Sequence, residues 1–169
     1  MSKKVLSFVV LTLCFFLILI IAWFDLYRLI IPNRTLKNSN SFFLQSHQRD
    51  LVKWRLFNQE TIDYATKVDK PLFIFIGYAS SQYSRAMQAD SFTDPFVSKI
   101  INRHFVPVLV DRNKNYQFSR IYTNICSYHR KFSGWPLTIM TTTDGVPLFI
   151  DTNVRKENLI QYLNHMRVD

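Results

Sequence analysis

Glycine is scarce, with 3 in 169 residues. That argues against the glycine-rich loops that cradle nucleotide phosphates. Cysteine is sparser still, at Cys14 and Cys126. Cys14 lies inside a hydrophobic stretch, so a Cys14–Cys126 disulfide is not expected. Without pairs there is no disulfide framework, and cysteine usage does not reveal the redox compartment. His47, His104, His129 and His165 lack the spacing of a metal pair such as H-E-x-x-H, and no cysteine cluster joins them. They read as isolated surface or half-buried histidines, so neither a metal nor a cofactor is expected. No G-x-S-x-G elbow and no internal repeat are present.

What is present is apolar mass and positive charge. Apolar residues make up 48% of the chain and aromatics 15%, led by 15 Phe, which is enough for a packed core. The net charge of +9 is not one patch: residues 1–50 contribute +4 and residues 51–169 contribute +5. A nucleic-acid surface would want clustered bases with interleaved aromatics, and no such cluster appears. A solvated basic surface, facing anionic lipid at most, is the expectation.

Val5–Phe24 is a run of twenty residues without a charge. At the helical rise per residue it spans about 30 Å, the thickness of a bilayer core. Trp23, Tyr27 and Arg28 suit the far interface. A cleaved signal peptide would have a shorter apolar region and small residues at the cut, and only Ala22 is small here. An uncleaved N-terminal transmembrane anchor is therefore expected over residues 1–31. The short head with Lys3 and Lys4 favours a cytoplasmic amino terminus, which puts the globular part in a periplasmic or other extracytoplasmic space. Residues 32–49 are polar around Asn38-Ser39-Asn40-Ser41 and read as a tether. Asn33-Arg34-Thr35 matches a glycosylation acceptor, a pattern common by chance.

The globular domain is expected over residues 50–169. Asn58 caps a helix over Gln59–Val68, with Ile62, Ala65 and Val68 on one face. Leu72–Ile76 is a brief run, apolar on both faces, and predicts a buried strand after Pro71. It ends at Gly77 and opens into a polar turn, Tyr78–Ser84, followed by a helix over Ser84–Ala89. Asp94-Pro95 starts another helix, ending near His104. Val106–Val110 is a second buried strand, Tyr116–Ile125 a helix and Pro136–Thr142 a third strand. Asp144-Gly145 signals a hairpin, so Val146–Ile150 should pair antiparallel with the third strand. Lys156–Met166 closes the domain as a helix with Leu159, Ile160, Leu163 and Met166 on one side. This order predicts an α/β fold of thioredoxin type: a four-stranded mixed sheet flanked by helices.

The chain from Trp54 to Ile150 resembles the thioredoxin-like domain of the spermatogenesis-associated, YyaL-type family. Trp54, Glu60 and Ala65 fit its opening helix, and Lys70-Pro71, Phe73, Ile76, Gly77 and Tyr78 fit its first strand. Met87, Ser91 and Phe92 fit the helix behind the active turn. Asn102, Phe105-Val106-Pro107 and Val110-Asp111-Arg112 fit the second strand. Ile121-Tyr122 then precedes Gly134-Trp135-Pro136-Leu137-Thr138, with Asp144-Gly145 closing the hairpin. The family typically carries Cys-His-Trp-Cys in the active turn, whereas this chain has Ser81-Gln82-Tyr83-Ser84. Family members often continue into a large helical, sugar-enzyme-like domain, which these 169 residues do not include.

The resemblance implies that the residue before the third strand's proline faces the active turn and that this proline is cis. Trp135-Pro136 occupies that place. Extended peptides dock there by strand-like pairing, and Tyr83, Trp135 and Pro136 are the expected partner-binding residues. Trp135 packing beneath the turn is the plainer alternative. Thiol–disulfide exchange needs a thiolate and a resolving thiol, and serine supplies neither. A redox-inactive, membrane-anchored, protein-binding module is the leading expectation, as subunit or assembly factor of a membrane complex. The alternatives are enzymes: monothiol chemistry through Cys126, or a hydrolase at Ser81 or Ser84 with His129 as base. The bland readings are that Cys126 is a buried small hydrophobe, that the serines cap a helix and that Trp54 is structural.

Overall fold

In a computed structural model of the protein, residues 12–20, 23 and 33–167 are described. Two compact units divide the chain at Pro32. In the first, residues 12–20 are helical. Among the described residues no helix is long and apolar enough to cross a membrane. Half of the expected anchor over Val5–Phe24 falls outside the described residues.

The second unit begins at Asn33, not at Asp50. The stretch expected to be a tether is part of the domain. It folds into α1 (Arg34–Lys37) and α2 (Phe42–Ser46). Asn33 and Ser41 cap these helices by accepting backbone N–H bonds. Leu36 is 0% exposed and Phe43 3%, and both join the main core. Burying such side chains contributes roughly 1.5–3 kcal/mol each. Asn33 Nδ2 also donates to Trp54 O at 2.8 Å, so the amide of the glycosylation pattern is already engaged.

The remaining elements are β1 (Arg55–Leu56), α3 (Gln59–Val68), β2 (Leu72–Gly77), α4 (Gln82–Met87), α5 (Pro95–His104), β3 (Val106–Asp111), α6 (Tyr116–Arg130), β4 (Leu137–Thr141), β5 (Pro147–Thr152) and α7 (Lys156–Met166). A single π turn, Gln88–Phe92, continues α4 where a plain helix to Ala89 was expected. The sheet has five strands, not four, in the order β1-β3-β2-β4-β5. The added strand β1 pairs parallel with β3. β2 pairs parallel with β3 and antiparallel with β4, and β4–β5 is an antiparallel hairpin. Gly145 turns that hairpin at φ 88°, a conformation glycine adopts without cost.

Alternation along β2 divides the core. Phe73 and Phe75 face a layer that includes α1, α2, α5 and α7, with Trp54, Phe92, Phe105, Leu159 and Leu163. Leu72, Ile74 and Ile76 face α3 and α6, with Ala65, Tyr122 and Cys126. Every residue of β2, β3 and β4 is buried, as expected of strands covered on both faces.

Candidate functional site

Gly77, Asp111, Leu137 and Thr152 bring four strand ends to one side of the sheet. There the loops after β2 and before β4 meet. Such an end, outside the carboxyl termini of parallel strands, is where open α/β sheets place their sites.

The turn after β2 is built by its own serines. Ser81 is the N-cap of α4, and its Oγ accepts the N–H of Ser84 at 3.1 Å. Ser84 is buried, and its hydroxyl has no hydrogen-bond partner among the described residues. A Cβ added at Gly77 would lie 2.8 Å from Ser84 Oγ and 2.7 Å from Phe43 Cζ. Glycine is therefore required by close approach, as Phe43 of α2 presses into the turn. Gln82 and Tyr83 point outward from the first turn of α4, Tyr83 at 60% exposure.

Among the described residues no base is hydrogen-bonded to these serines. His129, the candidate from sequence, instead lines a hollow of about 250 Å³ with Arg130 and Pro147–Ile150 on the β5 side. Cys126 is also elsewhere. It is buried on the α6 face of the sheet, with its Sγ 3.8 Å from Phe132 O. Burial pushes its thiol pKa up, and Asp151 adds to this. The nearby Ser133 hydroxyl and the charge of Arg130 pull the other way without prevailing. A neutral, enclosed thiol is a poor nucleophile.

Trp135 and Pro136 stand opposite the turn, and the bond between them is cis. Pro136 O accepts from Asn153 N at 3.1 Å and from Thr152 Oγ1 at 3.0 Å, which fixes the loop to β5. Among the described residues no backbone hydrogen bond engages Trp135 itself.

Two arrangements here were not legible in the sequence. Arg112, directly after β3, lies with Cζ 4.9 Å from the ring centroid of Tyr78 and 4.9 Å from that of Trp135. It thus joins the two loops, while Tyr83 does not enter that stack. His47 is neither a surface nor a half-buried residue. It is 1% exposed among Phe43, Trp54, Phe75 and Phe92. Its Nδ1 lies 2.6 Å from Asp50 Oδ2, which also accepts from Trp54 Nε1 at 2.8 Å. Gln88, at the start of the π turn, donates to Asp50 Oδ1 at 2.7 Å. The spacing His47-x-x-Asp50 was the available signal. Among the described residues no group of His, Cys, Asp and Glu could hold a metal ion.

Residues 33–168 match the family model Thioredox_DsbH, described as "Protein of unknown function, DUF255". The chain belongs to that family. The match starts at Asn33, where the folded unit starts. Spermatogenesis-associated protein 20 of Rattus norvegicus is 29% identical over 119 residues, and the Homo sapiens protein of that name is 28% identical over 117. Each alignment covers 69% of this chain but 15% of the relative, so the chain corresponds to a small part of those proteins. A solved structure titled "DsbH Oxidoreductase" superposes with a TM-score of 0.52 at 16% identity, covering 69% of this chain and 86% of that one. A Thermus thermophilus thioredoxin gives 0.52 at 13% identity, covering 68% and 85%. At such identities the likeness is one of fold: this Thioredox_DsbH member has a thioredoxin-like α/β architecture with a mixed sheet and flanking helices.

Proposed function

We propose that this chain is a membrane-anchored thioredoxin-like module that carries out no thiol–disulfide exchange and holds an extended segment of a partner protein. The observation that carries the reading is Ser81. Where thioredoxin-like relatives are expected to present a cysteine sulfur, this chain presents a hydroxyl already committed to capping α4. Oxygen forms no disulfide, and no second thiol lies at the turn to resolve one. What remains is a docking edge: the backbone of Trp135 beside cis Pro136, with Tyr83 exposed across the turn. Backbone pairing supplies affinity in such an edge, and the flanking aromatics supply contact area.

The anchor rests on the sequence of Val5–Phe24 and its flanks, with the amino terminus on the cytoplasmic side. A role as subunit or assembly factor of a membrane complex follows from a binding surface held at a bilayer. The serine hydrolase gains no support, since His129 lies at the β5 side. Monothiol chemistry gains none from an enclosed, neutral Cys126.

The test has two arms. Membranes carrying the protein are washed with alkaline carbonate and then extracted with mild detergent for crosslinking and mass spectrometry. The protein should stay with the membrane, and crosslinks should fall around Tyr83 and Trp135. Insulin reduction by the purified chain at a thioredoxin-like rate would refute the redox-inactive reading.

A further inference from the structure

Arg112 follows β3 directly, and its N–H donates to Gly77 O at 2.9 Å, which ties it to the end of β2. Its guanidinium then lies over the rings of both Tyr78 and Trp135. Ring faces attract and position a cation, but they do not replace the in-plane acceptors that its five N–H groups favour. Among the described residues no carboxylate lies within ion-pair distance of Arg112. The acids that β3 and β5 carry to this end are both committed elsewhere. Asp111 accepts from Ser41 Oγ at 2.5 Å and from Asn113 N at 2.8 Å. Asp151 accepts from Arg130 Nη2 at 2.8 Å and from Thr152 N at 2.8 Å. A half-buried guanidinium is thus held beside the docking edge, and among the described residues no carboxylate engages its donors.

We infer that Arg112 reads a carboxylate, the side chain of an Asp or Glu carried by the extended partner segment. This rests on the docking edge proposed above and names its specificity. The planar fork of arginine matches a carboxylate bidentately, and the two flanking rings fix the fork in advance. A segment paired to the backbone of Trp135 passes beside the ring that holds Arg112, so one residue of that segment faces the guanidinium. The net charge of +9 favours encounter with acidic segments.

The experiment uses the full chain in detergent micelles and an array of N-acetylated, C-amidated nonapeptides of varied sequence. Bound peptides should share an Asp or Glu at one position. Replacing that residue by Gln in the best binder should weaken binding about tenfold by calorimetry, the scale of one charge-assisted bidentate pair. Arg112→Gln should abolish the difference while still binding the Gln peptide, which also shows that the variant is folded. Trp135→Ala should weaken both peptides. Peptides that bind without an acidic preference, or a preference that survives Arg112→Gln, would overturn the role of Arg112 and leave the docking edge standing. Binding of anionic lipid vesicles in place of any capped peptide would overturn both.

Discussion

Ser41 Oγ donates a 2.5 Å hydrogen bond to Asp111 Oδ2 across 70 residues of sequence. The same oxygen accepts Leu44 N at 3.2 Å and so caps α2. One hydroxyl therefore starts a helix and fastens it to the end of β3, where the candidate site begins. Ser41→Ala should cost about 1–3 kcal/mol, from a lost cap and a buried carboxylate left short of one donor. Urea unfolding of the wild type and variant measures it. Deleting residues 33–49 should prevent cooperative folding altogether, whereas removal of a true tether would leave the midpoint unchanged.

Gly77→Ala should destabilise by about 1–3 kcal/mol, because its Cβ would fall within 3 Å of Phe43 Cζ and Ser84 Oγ. The close atom of Phe43 belongs to a buried ring and has little room to move. Phe43→Leu should recover part of that loss when combined with Gly77→Ala, although it is destabilising alone. A double-mutant cycle in thermal unfolding reads the coupling. Strict additivity of the two would refute the contact.

Asp50 accepts from Trp54 and Gln88 and pairs with His47, all at short range. Asp50→Ala leaves His47 Nδ1 and Trp54 Nε1 without their partner inside an aromatic enclosure, whereas Gln88 keeps its bond to Ser46 O. The expected loss is about 2–6 kcal/mol, the scale of two buried polar groups left unsatisfied. His47→Phe, which fills the same space without a polar group, should cost less than Asp50→Ala. Chemical denaturation ranks the two.

Alkaline stability follows from Cys126 and Tyr122, whose pKa values are both raised by burial. Between the unfolded and folded pKa values the native state keeps a proton that the unfolded chain has lost. Their contribution is therefore complete below the unfolded values, 9.0 for the thiol and 10.0 for the phenol, and declines as pH rises above them. The melting temperature should begin to fall above about pH 9. Cys126→Ala should delay that onset. In the same range a thiol-reactive dye should label Cys126 quickly only after unfolding.

Ser81→Ala should cost about 1 kcal/mol through loss of the α4 cap. The paired change Ser81→Cys and Ser84→Cys puts two thiols at a helix N-terminus, where thiolate is favoured. Insulin reduction should rise from background to a measurable rate in the paired variant and in neither single one. No gain in a folded paired variant would show that more than sulfur separates this turn from a working redox site.

Local signals were legible where they were long or chemically marked. α3 and α7 fall on their expected ranges, because Asn58 marks the start of one and a repeating apolar side marks the other. β2 and β3 were evident as short apolar runs between polar breaks. The missed elements are short: β1 has two residues, and α1 and α2 have four and five, too few for a period to show. Polar composition hid Leu36 and Phe43, whose burial depends on distant partners. α6 runs on to Arg130 past the expected end at Ile125. The serine cap at the turn could be read from sequence. The Tyr78–Arg112–Trp135 stack could not, because it joins three loop residues with no shared local pattern.

The tryptophans give this protein its own optical reporters. Trp54 is 2% exposed and T-stacked on Phe92 at 4.9 Å, so its emission should be blue and change only on global unfolding. Trp135 is half-buried against a guanidinium at the docking edge, where an arriving carboxylate would alter its surroundings. With Trp23 replaced by Phe, acrylamide quenching should separate occupancy at the edge from loss of the fold, without any attached dye.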